Sequence, residues 1–324
     1  MKTFKRLTGC IVTLALIIGI VNYLGDLVRP TDTDSAINAI ETFHALPENS
    51  IEVIGYGSSH IWRGLDVREM YDKYGIVAYN YGCNWQHINT TALFVKDSLR
   101  TQSPKVILIE TYMVHSILMN TGINGEIYYT RGIPDFDAKR AYLKQCFQDD
   151  MEKYLSYYMP LSAFHENWVN IDKVSFQDPT ESDRFFETMG YMPSDAVCPI
   201  TIGDPSSFEQ KELSEQSLEI LDDLVGICRD RDIKILFYTA PWEGEYQYGD
   251  AMKRYADENG CYYLNLFELI EEVGLDPETD FSDAEHLNDS GAVKVADYLG
   301  KFIVENYDVT DMRNVADNLR ERYK

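Results

Sequence analysis

A chain of 324 residues with 45% hydrophobic side chains can bury a full core, and its length fits one or two domains. Fifty-three acidic residues against 29 basic ones leave a formal charge of −24, which repels phosphate backbones and argues against nucleic acid as a partner. Polyanionic substrates meet the same repulsion, screened beyond about 8 Å at physiological salt, so neutral glycans or small acyl esters fit the charge better.

At the N-terminus, Lys2, Lys5 and Arg6 precede an uncharged run from Leu7 to Leu24, closed by Asp26 and Arg29. Such a run, helical at about 1.5 Å per residue, reaches roughly 27 Å, close to the roughly 30 Å hydrocarbon core of a bilayer. The basic flank favours the cytoplasm, which sends the rest of the chain outside the cell membrane. No small-x-small cleavage site follows the run, so an uncleaved single-pass anchor over 1–29 is expected rather than a signal peptide. Residues 30–49 read as a polar linker.

Ile51-Glu-Val-Ile-Gly-Tyr-Gly57 is a short apolar run ended by glycine and predicts a buried strand. Leu65 to Tyr74 has helical spacing and stops at Gly75. A second strand is predicted over Ile76–Tyr81, an amphipathic helix over Thr90–Leu99, and a third strand over Lys105–Glu110. Helical spacing returns over Phe208–Arg229, followed by a fourth strand, Lys234–Thr239, a fifth, Cys261–Leu266, and a closing helix, Ala292–Val304. Short strands alternating with helices imply βαβ crossovers and a parallel sheet covered on both faces. The expected fold is therefore α/β, a three-layer α/β/α sandwich around a five-stranded parallel, flavodoxin-like sheet, over 50–310. Residues 113–206 break the alternation, carry helical runs around Ala138–Tyr158, and read as an insertion over one end of the sheet. Residues 311–324 form a tail.

The cysteines stand at 10, 83, 146, 198, 228 and 261, with no C-x-x-C pair and no His-Cys grouping of zinc spacing. Neither a metal nor a cofactor is expected. Scattered buried thiols are the plainer reading, with one bridge, for instance between Cys146 and Cys198, left open.

In parallel α/β sheets the loops after the strands build the site. Three such loops here carry suggestive residues: Gly57-Ser58-Ser59-His60, then Asn80-Tyr81-Gly82-Cys83-Asn84-Trp85-Gln86, then Asp283-Ala-Glu-His286 ahead of the closing helix. A serine hydroxyl needs a base to remove its proton, and that base needs a third group to hold its tautomer. Asp283 and His286, three positions apart, can meet within one turn of chain. Read singly, a Gly-Ser-Ser turn is an ordinary loop and Asp283 an ordinary helix cap; their combination on strand-following loops points to a triad with Ser59. Gly82, lacking a Cβ, can bring a second N–H close to the serine. His60 and His87 flank the site, and Trp62, Trp85 and Trp242 could form a sugar-stacking platform at its mouth or, equally, pack in the core or rim.

These blocks resemble those of the SGNH/GDSL hydrolase superfamily. Ser59 aligns with the nucleophile of Gly-Asp-Ser-Leu, Tyr79-Asn80-Tyr81-Gly82 is similar to the second block, whose glycine supplies an oxyanion donor, and Asp283-Ala-Glu-His286 is similar to the closing Asp-x-x-His block. The resemblance spans about 50–111 and 230–305. An N-terminal anchor with a Gly-Ser-Ser start is closest to the branch that includes the D-alanyl-lipoteichoic acid transfer protein and alginate acetylation proteins. It implies a catalytic triad of Ser59, Asp283 and His286 and an oxyanion hole from the Ser59 and Gly82 N–H groups. His60, Asn84 and Trp85 would touch substrate. It further implies an extracytoplasmic serine esterase or acyltransferase acting on acyl esters of cell-envelope glycans, often beside a membrane-bound O-acyltransferase. The third strand departs from the pattern: Ile109-Glu110-Thr111-Tyr112 has no Asn to donate to the oxyanion, leaving Gln86 or Asn84 for that role. The same departure favours the alternative, a non-catalytic scaffold that serves a membrane acyltransferase.

Overall fold

Strict alternation along five apolar strands decides the architecture. The computed structural model describes residues 2–28, 36–122, 125–170, 187–204 and 207–313. Strands β1 (Val53–Tyr56), β2 (Ala78–Asn80), β3 (Val106–Glu110), β4 (Lys234–Thr239) and β5 (Tyr262–Asn265) form one parallel sheet in the order β2-β1-β3-β4-β5. Because side chains of successive strand residues point to opposite faces, Ile54, Tyr56, Ile107, Ile109, Ile235 and Phe237 enter one core. Val53, Val106, Leu108, Leu236 and Tyr238 enter the other. Both faces are apolar, so both need helices.

The first core is closed by α2 (Ala36–Ala45), α5 (Ile88–Ser98), α10 (Glu215–Asp230) and α11 (Gly249–Asn259), which supply Phe43, Phe94, Leu224 and Met252 among others. The second is closed by α3 (Ser59–Gly64), α4 (Val67–Tyr74), the short α12 (Ile270–Val273) and α13 (Asp289–Asn306), through Ile61, Met70, Val273, Val295 and Leu299. The expected three-layer sandwich is present, with strand positions as read from the sequence to within a residue or two. Two helices begin elsewhere than expected because side chains cap them. Ser214 Oγ accepts from Ser217 N–H, so α10 starts at Glu215 rather than near Phe208, and Asn288 Oδ1 accepts from Gly291 N–H at the start of α13.

The segment expected as a linker over 30–49 is helical in part. In α2, Ile37, Ile40 and Phe43 recur every three residues and are buried on the sheet; residues 29–35 lie outside the described residues. Between β3 and β4 the described part of the 113–206 insertion holds α6 (Gly125–Tyr129), α7 (Asp137–Phe147), α8 (Met151–Tyr157), α9 (Pro160–Phe164) and a tight 3₁₀ turn, His165–Asn170. The helical runs expected around Ala138–Tyr158 are α7 and α8, separated at Gln148 and Asp149, whose φ angles of 50° and 60° cannot continue an α-helix. Residues 171–186 of the insertion and 314–324 of the tail lie outside the described residues. Further on, 189–200 runs past the carboxyl ends of the strands: Met189 O accepts from Asn80 N–H at 3.0 Å, Met192 N–H donates to Trp62 O at 2.7 Å, and Cys198 N–H donates to Phe281 O at 2.8 Å. All six cysteines are free thiols, so the bridge between Cys146 and Cys198 is not made.

At the other end of the chain, α1 (Lys2–Leu27) contains 20 residues, Arg6–Gly25, of mean hydropathy 2.2, exposed up to Leu24 save for half-buried Val21 and buried at Gly25. It is long and apolar enough to cross a membrane.

Candidate active site

The loop after β1 turns because Gly57, at φ 155°, leaves room for a neighbour: a Cβ there would sit 2.6 Å from Glu110 Cβ. Ser58 then caps α3. Its Oγ accepts from His60 N–H at 3.2 Å and donates to Glu110 Oε2 at 2.9 Å. Ser58 N–H donates to the same oxygen at 3.1 Å, and Tyr112 N–H donates to Oε1 at 2.6 Å. A carboxyl at the end of β3 therefore pins the β1 loop and its own following loop together. Ser59 is left as the first helical residue, half-buried, with a backbone N–H that a helix start leaves unpaired.

The loop after β2 lies against the first. Cys83 N–H donates to Gly57 O at 3.3 Å, and a Cβ on Gly82 would meet that oxygen at 2.6 Å and Ile61 Cγ2 at 2.7 Å. Only glycine permits this approach. Among the described residues nothing accepts from the Gly82 N–H.

The third loop is a short antiparallel turn. Phe281 and Leu287 pair across it, Ser282 N–H donates to His286 O at 2.8 Å, and Asn288 Nδ2 donates to Thr279 O at 2.7 Å and Ala196 O at 3.0 Å. Asp289 Oδ1 accepts from Tyr191 and from Ser194 N–H, both at 2.7 Å. Residues 191–198 of the insertion thus buttress this loop.

The three loops bring Ser59, His286 and Asp283 into one line. Ser59 Oγ is 2.7 Å from His286 Nε2, and His286 Nδ1 is 2.9 and 3.0 Å from the two Asp283 oxygens. Asp283 faces Nδ1, which fixes that nitrogen as the N–H donor and leaves Nε2 as the acceptor toward the serine. Partial burial pulls the Asp283 carboxyl upward, but N–H bonds from Glu285 and His286 and the His286 charge outweigh it and hold the group below the usual carboxylate range. Arg63 Nη1 stands 3.6 Å from Asp283 Oδ2.

The remaining expected residues separate. His60 is buried, with its ring 5.1 Å from that of His286; burial first, and His286 second, pull its imidazole down to about 3, so it is neutral beside the base. Gln86 is buried and donates one amide hydrogen to Thr91 Oγ1 on α5 at 3.1 Å. Asn84 is half-buried in the turn, and Trp85 is exposed at φ 56° with its ring 5.8 Å from Tyr112. Tyr112 in turn lies 4.8 Å from the His60 ring and 5.0 Å from Trp242. Trp62, expected with them at the mouth, is buried in the second core. His87 is held by Glu126, which accepts from its N–H at 2.9 Å.

Sequence reading missed Glu110, Tyr112 and Arg63. Only Glu110 left a signal, a carboxylate closing the otherwise apolar run Val106–Ile109. Burial pushes its carboxyl up to about 7, against the N–H and hydroxyl donors from Ser58 and Tyr112 that pull it down. Beside the three-residue line lies a cavity of about 220 Å³ with mostly apolar walls, including Pro199, Ile200, Pro241, Trp242, Phe267 and Ala284. Ala284 is the chain neighbour of Asp283.

No family model and no curated protein matches the chain. Among solved structures, it is similar to a Bacteroides fragilis protein provisionally described as an acylhydrolase, over 81% of this chain and 92% of that one, at 10% identity and a TM-score of 0.37. Likeness at that level leaves the function to the chemistry of the site.

Proposed function

We propose that this protein is a membrane-anchored serine esterase or O-acyltransferase of the SGNH type that works through an acyl-Ser59 intermediate. The observation that carries the reading is the unbroken line from Ser59 Oγ through His286 to Asp283. His286 Nε2 takes the hydroxyl proton as Ser59 Oγ attacks the acyl carbonyl, and Asp283 stabilises the imidazolium. The oxygen of the tetrahedral intermediate gains its charge beside the Ser59 and Gly82 N–H groups, where each donor is worth about 3 kcal/mol of barrier. Collapse breaks the ester C–O bond, and the departing alkoxide takes the proton from His286. Water or a glycan hydroxyl then loses its proton to the same nitrogen and releases the acyl group from Ser59.

The apolar cavity beside Ala284 suits an acyl chain, and Trp85, Tyr112 and Trp242 offer aromatic faces to a sugar ring. His60, buried behind Ser58, would act on substrate through the position of the loop; Asn84 and Trp85 lie where a substrate could touch them. The acidic surface favours a neutral glycan of the cell envelope, on the outer face if α1 crosses the membrane with Lys2, Lys5 and Arg6 inside. A membrane-bound O-acyltransferase that delivers the acyl group would fit this arrangement.

Labelling of the full chain by a fluorescent organophosphonate tests the reading. Ser59→Ala should abolish the label, and His286→Ala should slow it by about 10²- to 10⁴-fold. A label that persists on Ser59→Ala would remove this serine from the mechanism.

A further inference from the structure

Among the described residues, the insertion leaves an apolar face uncovered. Helix α8 has two apolar faces. Tyr154 and Tyr157 pack inward, while Met151, Leu155, Tyr158 and Met159, spaced four, three and one apart, form an exposed stripe. The next turn of chain adds Trp168 and Val169, 67% and 69% exposed. Isolated apolar side chains on a surface are ordinary, but a stripe and an adjoining pair on consecutive elements are not.

The covering partner is indicated by where α1 ends. Its last turn docks on α9, the helix that joins the stripe to Trp168. Gly25 and Val28 are buried there, and Asn167 Nδ2 donates to Val28 O at 3.1 Å. The apolar span of α1 closes at Gly25. At about 1.5 Å per residue, Val28 lies only about 5 Å beyond that boundary. Whatever holds Val28 must therefore sit at headgroup depth, and Trp168 is the chain neighbour of the residue that does. Tryptophan is the side chain enriched at that depth, with an apolar ring and a polar N–H.

We infer that α8, α9 and the His165–Asn170 turn form a second, interfacial contact with the bilayer that α1 crosses, with Trp168, Val169 and the Met151–Leu155–Met159 stripe entering the headgroup region. This rests on α1 being a membrane anchor. Asp149, Asp150, Glu152 and Glu166 flank the stripe, so zwitterionic lipid suits it better than anionic lipid. The contact fixes the catalytic domain against the membrane surface instead of leaving it on a tether. Residues 191–198 of the same insertion buttress the His286 loop.

The test uses the full chain reconstituted in phosphatidylcholine vesicles, with and without bromines on the acyl carbons nearest the headgroup. Trp168→Phe, at an exposed position, isolates the fluorescence of that indole by difference. At least twofold quenching of this component by the brominated lipid is expected, together with retention of the chain on the vesicles through an alkaline carbonate wash. Retention without quenching would overturn the interfacial contact while the anchor stood, and a protein would then be the occupant of the stripe. Loss of the chain in carbonate would overturn the anchor and this inference with it. Leu155→Glu supplies a second reading: it should reduce the quenching of Trp168, and an unchanged value would count against the stripe.

Discussion

Glu110 and His60 are both buried within one loop of Ser59, and burial pushes them in opposite directions, to about 7 and about 3. Between its ordinary 4.5 and 7, the Glu110 carboxyl holds a proton in the folded chain that the unfolded chain has released, so stability falls as pH rises through that window. For His60 the unfolded chain takes up a proton below 6.5 that the folded chain refuses down to about 3, so stability falls as pH drops. From about pH 4.5 to 6.5 the two slopes oppose each other and nearly cancel. Glu110→Gln removes one of them. Relative to wild type, the variant should gain about 3 kcal/mol as pH rises from about 4.5 to above 7, at about 1.4 kcal/mol per pH unit. Urea unfolding across that range checks this, and a constant difference would mean the carboxyl is not strained by burial.

At the scale of elements, the site depends on three loops lying closer than side chains normally permit. Gly82→Ala would place a methyl 2.6 Å from Gly57 O. The clash should cost about 1–3 kcal/mol, read as a lower unfolding midpoint. Because it displaces the loop carrying Ser59, it should also slow phosphonate labelling by up to about 10²-fold. Helix ends supply a contrasting case. Gln148 terminates α7 with φ at 50°, where a Cβ costs about 1–2 kcal/mol and glycine costs none. Gln148→Gly should therefore raise stability by about 1 kcal/mol with labelling unchanged, as thermal unfolding and the probe together would report.

Across the whole molecule, a charge of −24 works against compactness. Ion pairs such as Lys73 with Glu69 and Asp297, or Lys96 with Asp223, lie at the surface and offset little of it. Raising sodium chloride from about 20 mM to about 300 mM shortens the screening length several-fold, so the thermal midpoint should rise. A falling midpoint would show that these pairs outweigh the repulsion. In the membrane contact inferred above, the same charge would leave the insertion dependent on apolar side chains.

The strands, their parallel packing and the two covered faces were legible because strand period, glycine stops and turn residues are local properties of the chain. So were the short motifs after the strands that hold Ser59, Gly82, Asp283 and His286, the residues on which the proposed function rests. Other features depended on partners distant in sequence. Helix α2 hid inside a polar stretch, since three apolar residues look like a linker until a sheet is there to receive them. Glu110 is an ordinary end to a strand until the β1 loop folds over it. Only closure of the chain decides whether Ser59 and His286, 227 positions apart, share a proton, because a hydrogen bond needs sub-ångström placement that no local pattern encodes.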